Sequence, residues 1–149
     1  MTVFLTVFSG VITFVLGQLV IKLLVDPVQD FRKAVADIAL ALIEYANVYA
    51  NPGVAGGEIE KKVSEEFRRL SSRLNAQMYL IPCYPITAKI FGLPSRKKVV
   101  DAASSLIGLS NGVFQSASNL VLVNVEMADK IRKVLGIFIL ENEQVKLNK

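Results

Sequence analysis

From Val3 to Val25 the chain is an unbroken run of apolar and small residues whose only charge is Lys22, and no charged side chain occurs from Met1 to Ile21. At about 1.5 Å per residue the run predicts a helix of roughly 35 Å, enough to cross a hydrocarbon core of about 30 Å with some tilt. A cleavable signal peptide fits less well. No Lys or Arg precedes the apolar core, and Leu19-Val-Ile-Lys-Leu-Leu-Val25 stands where a small-x-small cleavage site is expected. A buried helix of a soluble domain fits worse still, because uncharged runs of this length are uncommon in a short chain.

Beyond the run the pattern changes period. Asp26-Pro27 reads as the start of a new helix, with Asp26 as N-cap, Pro27 in the first turn and Gln29 as capping-box partner. Val28, Phe31, Val35, Ile38, Leu42, Tyr45 and Tyr49 then alternate spacings of three and four, an apolar seam that wants partner helices, and Asn51-Pro52-Gly53 stops it. A second helix from about Glu58 to Ile81 puts Ile59, Val63, Phe67, Leu70, Leu74, Met78 and Ile81 on one stripe opposite a mixed-charge face. The paired Glu residues there, interleaved with Lys and Arg at helical spacing, read as a solvated face rather than acid/base or metal chemistry.

Tyr79 to Ser95 is apolar and holds three prolines, Pro82, Pro85 and Pro94, with room for a short helical turn through Ile86 to Phe91. A third helix starts after Ser95 as N-cap and carries Val99, Ala103, Leu106, Ile107, Ser110, Val113 and Phe114 inward. Gln115 to Asn119 reads as a polar linker. Leu120 to Leu135 reads as a fourth helix, although Leu120 to Val125 alone would also suit a strand; Gly136 is its stop. The fold expected is all-α: one N-terminal transmembrane helix (1–25), an antiparallel four-helix bundle (26–136) and a flexible C-terminal tail (137–149).

Charge sharpens this picture. The chain carries a net +4, yet between Glu66 and Asp101 stand seven basic residues and no acidic one. If the second cytoplasmic helix returns antiparallel to the first, the proline-rich connection comes back to the bilayer surface, where Tyr79, Tyr84 and Phe91 suit the interface and Lys89, Arg96, Lys97 and Lys98 suit anionic headgroups or a protein partner. The competing reading is that these apolar residues cap the bundle core. Nucleic acid is disfavoured because no recognition motif accompanies the basic residues. Lys22, Arg32 and Lys33 all lie toward the C-terminal side of the span, so that side is expected in the cytoplasm and the N-terminus outside.

Within the span, Thr6, Ser9, Gly10, Thr13 and Gly17, preceded by Thr2, fall on one face and form a candidate packing seam for self-association or a partner helix; the alternative is that the hydroxyls bond their own helix. With no His and a single Cys, imidazole catalysis and an internal disulfide are excluded, and no cofactor or metal site is legible. Cys83 is expected as a small buried hydrophobe.

The stretches Tyr45-Ala-Asn-Val-Tyr-Ala-Asn-Pro-Gly53, Tyr79-Leu-Ile-Pro-Cys-Tyr-Pro85, Phe91-Gly-Leu-Pro-Ser95 and Leu106-Ile-Gly-Leu-Ser-Asn-Gly-Val-Phe114, behind one N-terminal span, resemble a group of small uncharacterised bacterial single-span membrane proteins. The resemblance implies a bacterial inner-membrane protein with a helical cytoplasmic part and brings no activity with it. The function expected is therefore non-enzymatic: a membrane-anchored interaction or regulatory module, self-associating through the seam or docking an unknown protein near the proline-rich connection. The alternative is a small pore-forming or holin-like oligomer lined by the Thr, Ser and Gln18 face. A hydrolase or transferase built on Cys83, Tyr84 or the Glu pairs ranks last, since no nucleophile-base spacing is legible.

Overall fold

A computed structural model describes residues 1–114 and 118–138, and every regular element among them is helical. We number the helices α1 (Thr2–Glu44), α2 (Ala46–Ala50), α3 (Gly57–Leu80), α4 (Tyr84–Phe91), α5 (Arg96–Gly112) and α6 (Ser118–Leu135). The expectation for Leu120 to Val125 resolves as helix. Of the expected linker from Gln115 to Asn119, Ser118 and Asn119 instead open α6 and 115–117 lie outside the described residues, as does the expected tail from 139 onward.

The largest departure from the sequence reading is at Asp26-Pro27, which does not start a helix. Val25 and Asp26 are helical, no side chain caps the segment, and α1 runs without a break from the apolar stretch into the amphipathic seam. Proline removes an N–H and its ring presses on the carbonyl four residues back. Here the strain is absorbed by a π-helical segment, Ile21–Val25, closed by the Asp26 N–H donating to the Ile21 carbonyl. The result is one rod of roughly 65 Å at about 1.5 Å per residue. Its N-terminal half is exposed on every side and buries nothing, and by length and apolarity it is able to span a membrane. Lys22 pairs with Asp26 at 2.9 Å on the surface of the π segment.

The lower half of α1 buries Val28, Phe31, Ala34, Ile38, Ala41 and Leu42, as its spacing requires. The seam was expected to continue straight to Tyr49, but the helix breaks at Tyr45 (φ −99°, ψ 17°). The Tyr49 hydroxyl donates to the Leu42 carbonyl at 2.9 Å, a side chain set against the helix ladder, and the kink swings both tyrosines toward Phe67, whose ring lies 6.1 Å from Tyr45 and 6.3 Å from Tyr49.

Three contacts fix how α3 lies on α1: Phe67 with Tyr45, Arg73 paired to Asp37, and, just beyond α3, Tyr84 with Phe31. As one chain ascends the other descends, so α3 is antiparallel to α1 and its C-terminal end faces the junction with the apolar half. Helix α5 turns back along α3, with Ser71 donating to the Ala103 carbonyl and Arg68 to Asn111. Helix α6 closes on α5 where residues are small: a side chain added at Gly112 would collide with Asn124, and one at Gly108 with Met127. Leu70, Leu74, Met78, Leu106, Leu109 and Ile131 are fully buried between these helices, each contributing about 1.5–3 kcal/mol of apolar transfer.

Two inward assignments fail at helix ends. Ile59 and Phe114, at the ends of their stripes, are exposed. In their place Glu60 is buried on the first turn of α3. Helix α4 and helix α6 each stop on a left-handed glycine, Gly92 (φ 66°) and Gly136 (φ 71°). The next amide bonds back to the Ala88 and Arg132 carbonyls respectively, the pairing that only a positive-φ residue permits without strain.

Candidate functional site

Outside the apolar half of α1, the proline-rich connection joins a run of basic side chains to exposed apolar residues. Ile81 is extended, as a residue before proline must be, and Pro82 ends α3. Cys83 then takes a left-handed conformation (φ 46°, ψ 46°), which costs a non-glycine residue roughly 1–2 kcal/mol. That turn launches α4, with Pro85 in its first turn and the Cys83 carbonyl accepting from the Ile86 and Thr87 amides at 2.9 and 3.2 Å. Cys83 is exposed. The expectation of a buried hydrophobe is overturned because the left-handed turn directs this residue out of the core.

Helix α4 divides its faces sharply. Inward go Tyr84, Thr87 and Ala88, with Phe91 half-buried. Tyr84 is 1% exposed: its ring meets Phe31 edge-on at 6.3 Å and its hydroxyl donates to the Pro94 carbonyl at 2.8 Å. Burial pushes its pKa upward, against the opposing charge of Arg96. As a surface contact Tyr84 is thus corrected to a core residue that anchors the connection. Arg32 of α1 donates to the Phe91 carbonyl at 2.8 Å, holding the other end of α4 beside the rod.

Outward go Ile86 and Ile90, at 63% and 73% exposed, and Tyr79 and Leu80 at the end of α3 are exposed as well. Ile86 and Ile90 are four residues apart and share one face. Lys89 on α4 and Arg96, Lys97 and Lys98 at the start of α5 are all exposed, and none makes an ion pair among the described residues. The Arg96 guanidinium lies 5.9 Å from the ring centres of both Tyr79 and Tyr84, within cation–π range of each. Ser95 caps α5 as expected, accepting weakly from the Lys98 amide at 3.5 Å. A cavity of about 290 Å³ opens here on an apolar floor of Tyr84, Pro85, Ala88 and Leu93, with Lys89 and Arg96 on its rim.

The structure therefore brings Tyr79, Lys89, Arg96, Lys97 and Lys98 of the sequence-derived patch onto one end of the helical domain, beside the junction with the apolar half of α1. It leaves Phe91 partly and Tyr84 wholly inside. The seam residues stay far away. Gly10 and Gly17 face open space, and the Thr6 hydroxyl donates to its own Thr2 carbonyl at 3.0 Å.

A second polar group was missed by sequence reasoning. Asn124, 1% exposed, donates to the Tyr49 carbonyl at 3.0 Å and the Gly112 carbonyl at 3.2 Å. Arg132, nearly as buried, donates to the Tyr49 hydroxyl at 3.1 Å and to Asp129 at 2.9 Å. Nothing in a single Asn or Arg on α6 marks it as buried; only the contact with α2 does. Such networks fix register among otherwise similar apolar stripes. Among the described residues no three His, Cys, Asp or Glu side chains gather to hold a metal.

Comparison with protein-family models, with curated proteins and with solved structures finds no match to this chain.

Proposed function

We propose that the protein is a non-enzymatic, membrane-anchored helical module: the apolar half of α1 spans the bilayer once, and the remainder forms an antiparallel four-helix bundle that presents the basic, aromatic α4 end to the membrane surface. The observation that carries this reading is the single rod from Thr2 to Glu44, exposed all round above Val25 and embedded in the core below it. A rigid connection of that kind holds the bundle at a fixed height and makes the α3–α5 connection its bilayer-facing end.

The orientation proposed places the bundle in the cytoplasm, since Lys22 stands at the C-terminal end of the span and Arg32, Lys33 and the whole basic cluster follow it. The resemblance to bacterial single-span proteins makes the inner membrane the compartment proposed. Reporters fused to either end test the orientation; a C-terminal reporter active only outside the cytoplasm overturns it. Photo-reactive residues at Gly10, Gly17, Tyr79 and Lys97 test the contacts at native expression. Self-crosslinks from Gly10 and Gly17 support association through the seam, and lipid or a discrete protein captured from Tyr79 and Lys97 supports a working surface at the α4 end. Silence at all four positions contradicts the module reading.

A further inference from the structure

The cavity between α4 and the start of α5 has the chemistry of a lipid site. Its floor of Tyr84, Pro85, Ala88 and Leu93 is apolar, and its rim carries Lys89 and Arg96. We propose that this cavity binds one anionic phospholipid of the bilayer that holds α1, its phosphate between Lys89 and Arg96 and its upper acyl chain on the apolar floor.

Three observations carry this, and the assignment rests on the membrane-anchored reading. The first is position. The contacts Phe31–Tyr84 and Arg32–Phe91 hold α4 against the part of α1 that begins just past Val25, so the cavity lies within about two helical turns, roughly 10 Å, of the end of the apolar half. The second is charge. Lys89, Arg96, Lys97 and Lys98 stand together without an ion-pair partner among the described residues, and α5 has no acidic residue in its first turn. Three cations at the positive end of a helix work against its stability unless an anion comes to them. The third is the composition of the cavity. A soluble phosphate would be served by the cations alone, whereas an apolar floor of Tyr84, Pro85, Ala88 and Leu93 suits a ligand with a hydrocarbon part. Arg96 is held over the Tyr79 and Tyr84 rings, 5.9 Å from each, so its guanidinium is oriented before the ligand arrives.

The test uses the full chain in a neutral detergent, with native mass spectrometry and calorimetric titration of short-chain phosphatidylglycerol. Phosphatidylcholine of equal chain length and inorganic phosphate are the comparison probes. The proposal expects one phosphatidylglycerol bound, at least about tenfold tighter than phosphatidylcholine, and no measurable site for inorganic phosphate. Lys89→Gln with Arg96→Gln lowers that affinity about 25-fold, since each basic residue near an anionic surface is worth roughly fivefold. Lys61→Gln with Lys62→Gln, equally exposed but on the flank of α3, leaves it unchanged. All four side chains are exposed, so none of these variants threatens the fold. Equal binding of the two lipids, or insensitivity to the double Gln variant at Lys89 and Arg96, overturns the proposal. Inorganic phosphate binding as well as the lipid overturns the lipid assignment and leaves a free-anion site. Partition of the chain into vesicles of phosphatidylcholine alone reads the anchor separately: a chain that inserts but shows no lipid preference keeps its anchor and loses this site.

Discussion

Arg32 on the rod donates a 2.8 Å hydrogen bond to the carbonyl of Phe91, the last residue of α4. A cation at a helix C-terminus satisfies an orphan carbonyl and complements the helix dipole, so this bond pins the short helix at both ends, Tyr84 holding the other. Because the bond is exposed, Arg32→Ala is expected to cost under about 1 kcal/mol of global stability. Its effect is local: amide hydrogen exchange across Tyr84–Phe91 speeds up several-fold while the amides of α3 keep their protection. Unchanged exchange in α4 means that Tyr84 and Phe31 hold the helix unaided.

Packing of α6 on α5 depends on Gly112 leaving room for Asn124. Gly112→Ala pushes a methyl into a buried amide and is expected to destabilise by about 1–3 kcal/mol. Asn124→Ala removes the donor shared by the Tyr49 and Gly112 carbonyls and is expected to cost about 2–3 kcal/mol. In the double variant the methyl occupies space the amide has vacated, so its cost falls short of the sum. Denaturant unfolding of the four chains measures the coupling; strict additivity contradicts the contact.

Alkaline pH tests the buried tyrosines. Burial raises the Tyr49 pKa above its ordinary 10.0, with the Arg132 charge opposing, and burial raises Tyr45 and Tyr84 as well. A raised pKa means the folded chain keeps a proton that the unfolded chain gives up near pH 10. Stability is therefore fully present below about pH 10 and lost as pH rises through the higher folded pKa. Tyr49→Phe is expected to flatten part of that loss while costing about 1–2 kcal/mol at neutral pH, where the bonds to Leu42 and from Arg132 disappear. A thermal-unfolding series from pH 8 to 11, roughly bracketing the ordinary Tyr pKa, reads both effects.

The transmembrane seam makes a separable prediction. A side chain at Gly10 or Gly17 meets nothing of the same chain, so Gly10→Leu and Gly17→Leu are expected to leave the thermal stability of the helical domain unchanged. If the small-residue face pairs with a second helix, the same variants abolish crosslinks between copies of α1. Crosslinks that persist in both point to a different face.

Much of this was legible in the sequence for one reason: helical periodicity survives packing. The stripe Val28, Phe31, Ile38, Leu42 and the stripe Val63, Phe67, Leu70, Leu74 are both buried because a three-four spacing admits only one inward face. What failed turned on geometry that residue types do not encode. Asp26-Pro27 carries every sign of a helix start, yet a π segment let the helix run through it. Tyr84 and Tyr79 look alike in sequence, but the left-handed turn at Cys83 sends one into the core and leaves the other on the surface. Ile59 falls on the expected stripe, yet the first turn of α3 buries the side carrying Glu60 and Ser64 instead. Asn124 and Arg132 earn their burial from Tyr49, which lies more than seventy residues away in the chain.

The most direct measurement of the account is the depth of the α4 end relative to the bilayer. Cys83 is the single cysteine, exposed, and stands at the start of α4, so the unmodified chain takes one fluorophore there. A Cys83→Ser, Asn51→Cys chain places the same fluorophore at the far end of the domain, about 30 Å further along α1 and α2. In vesicles carrying quenchers on the lipid headgroups, the account predicts strong quenching at Cys83 and none at Asn51. Quenching at Asn51 alone, or at neither position, would contradict a domain held with α4 against the membrane.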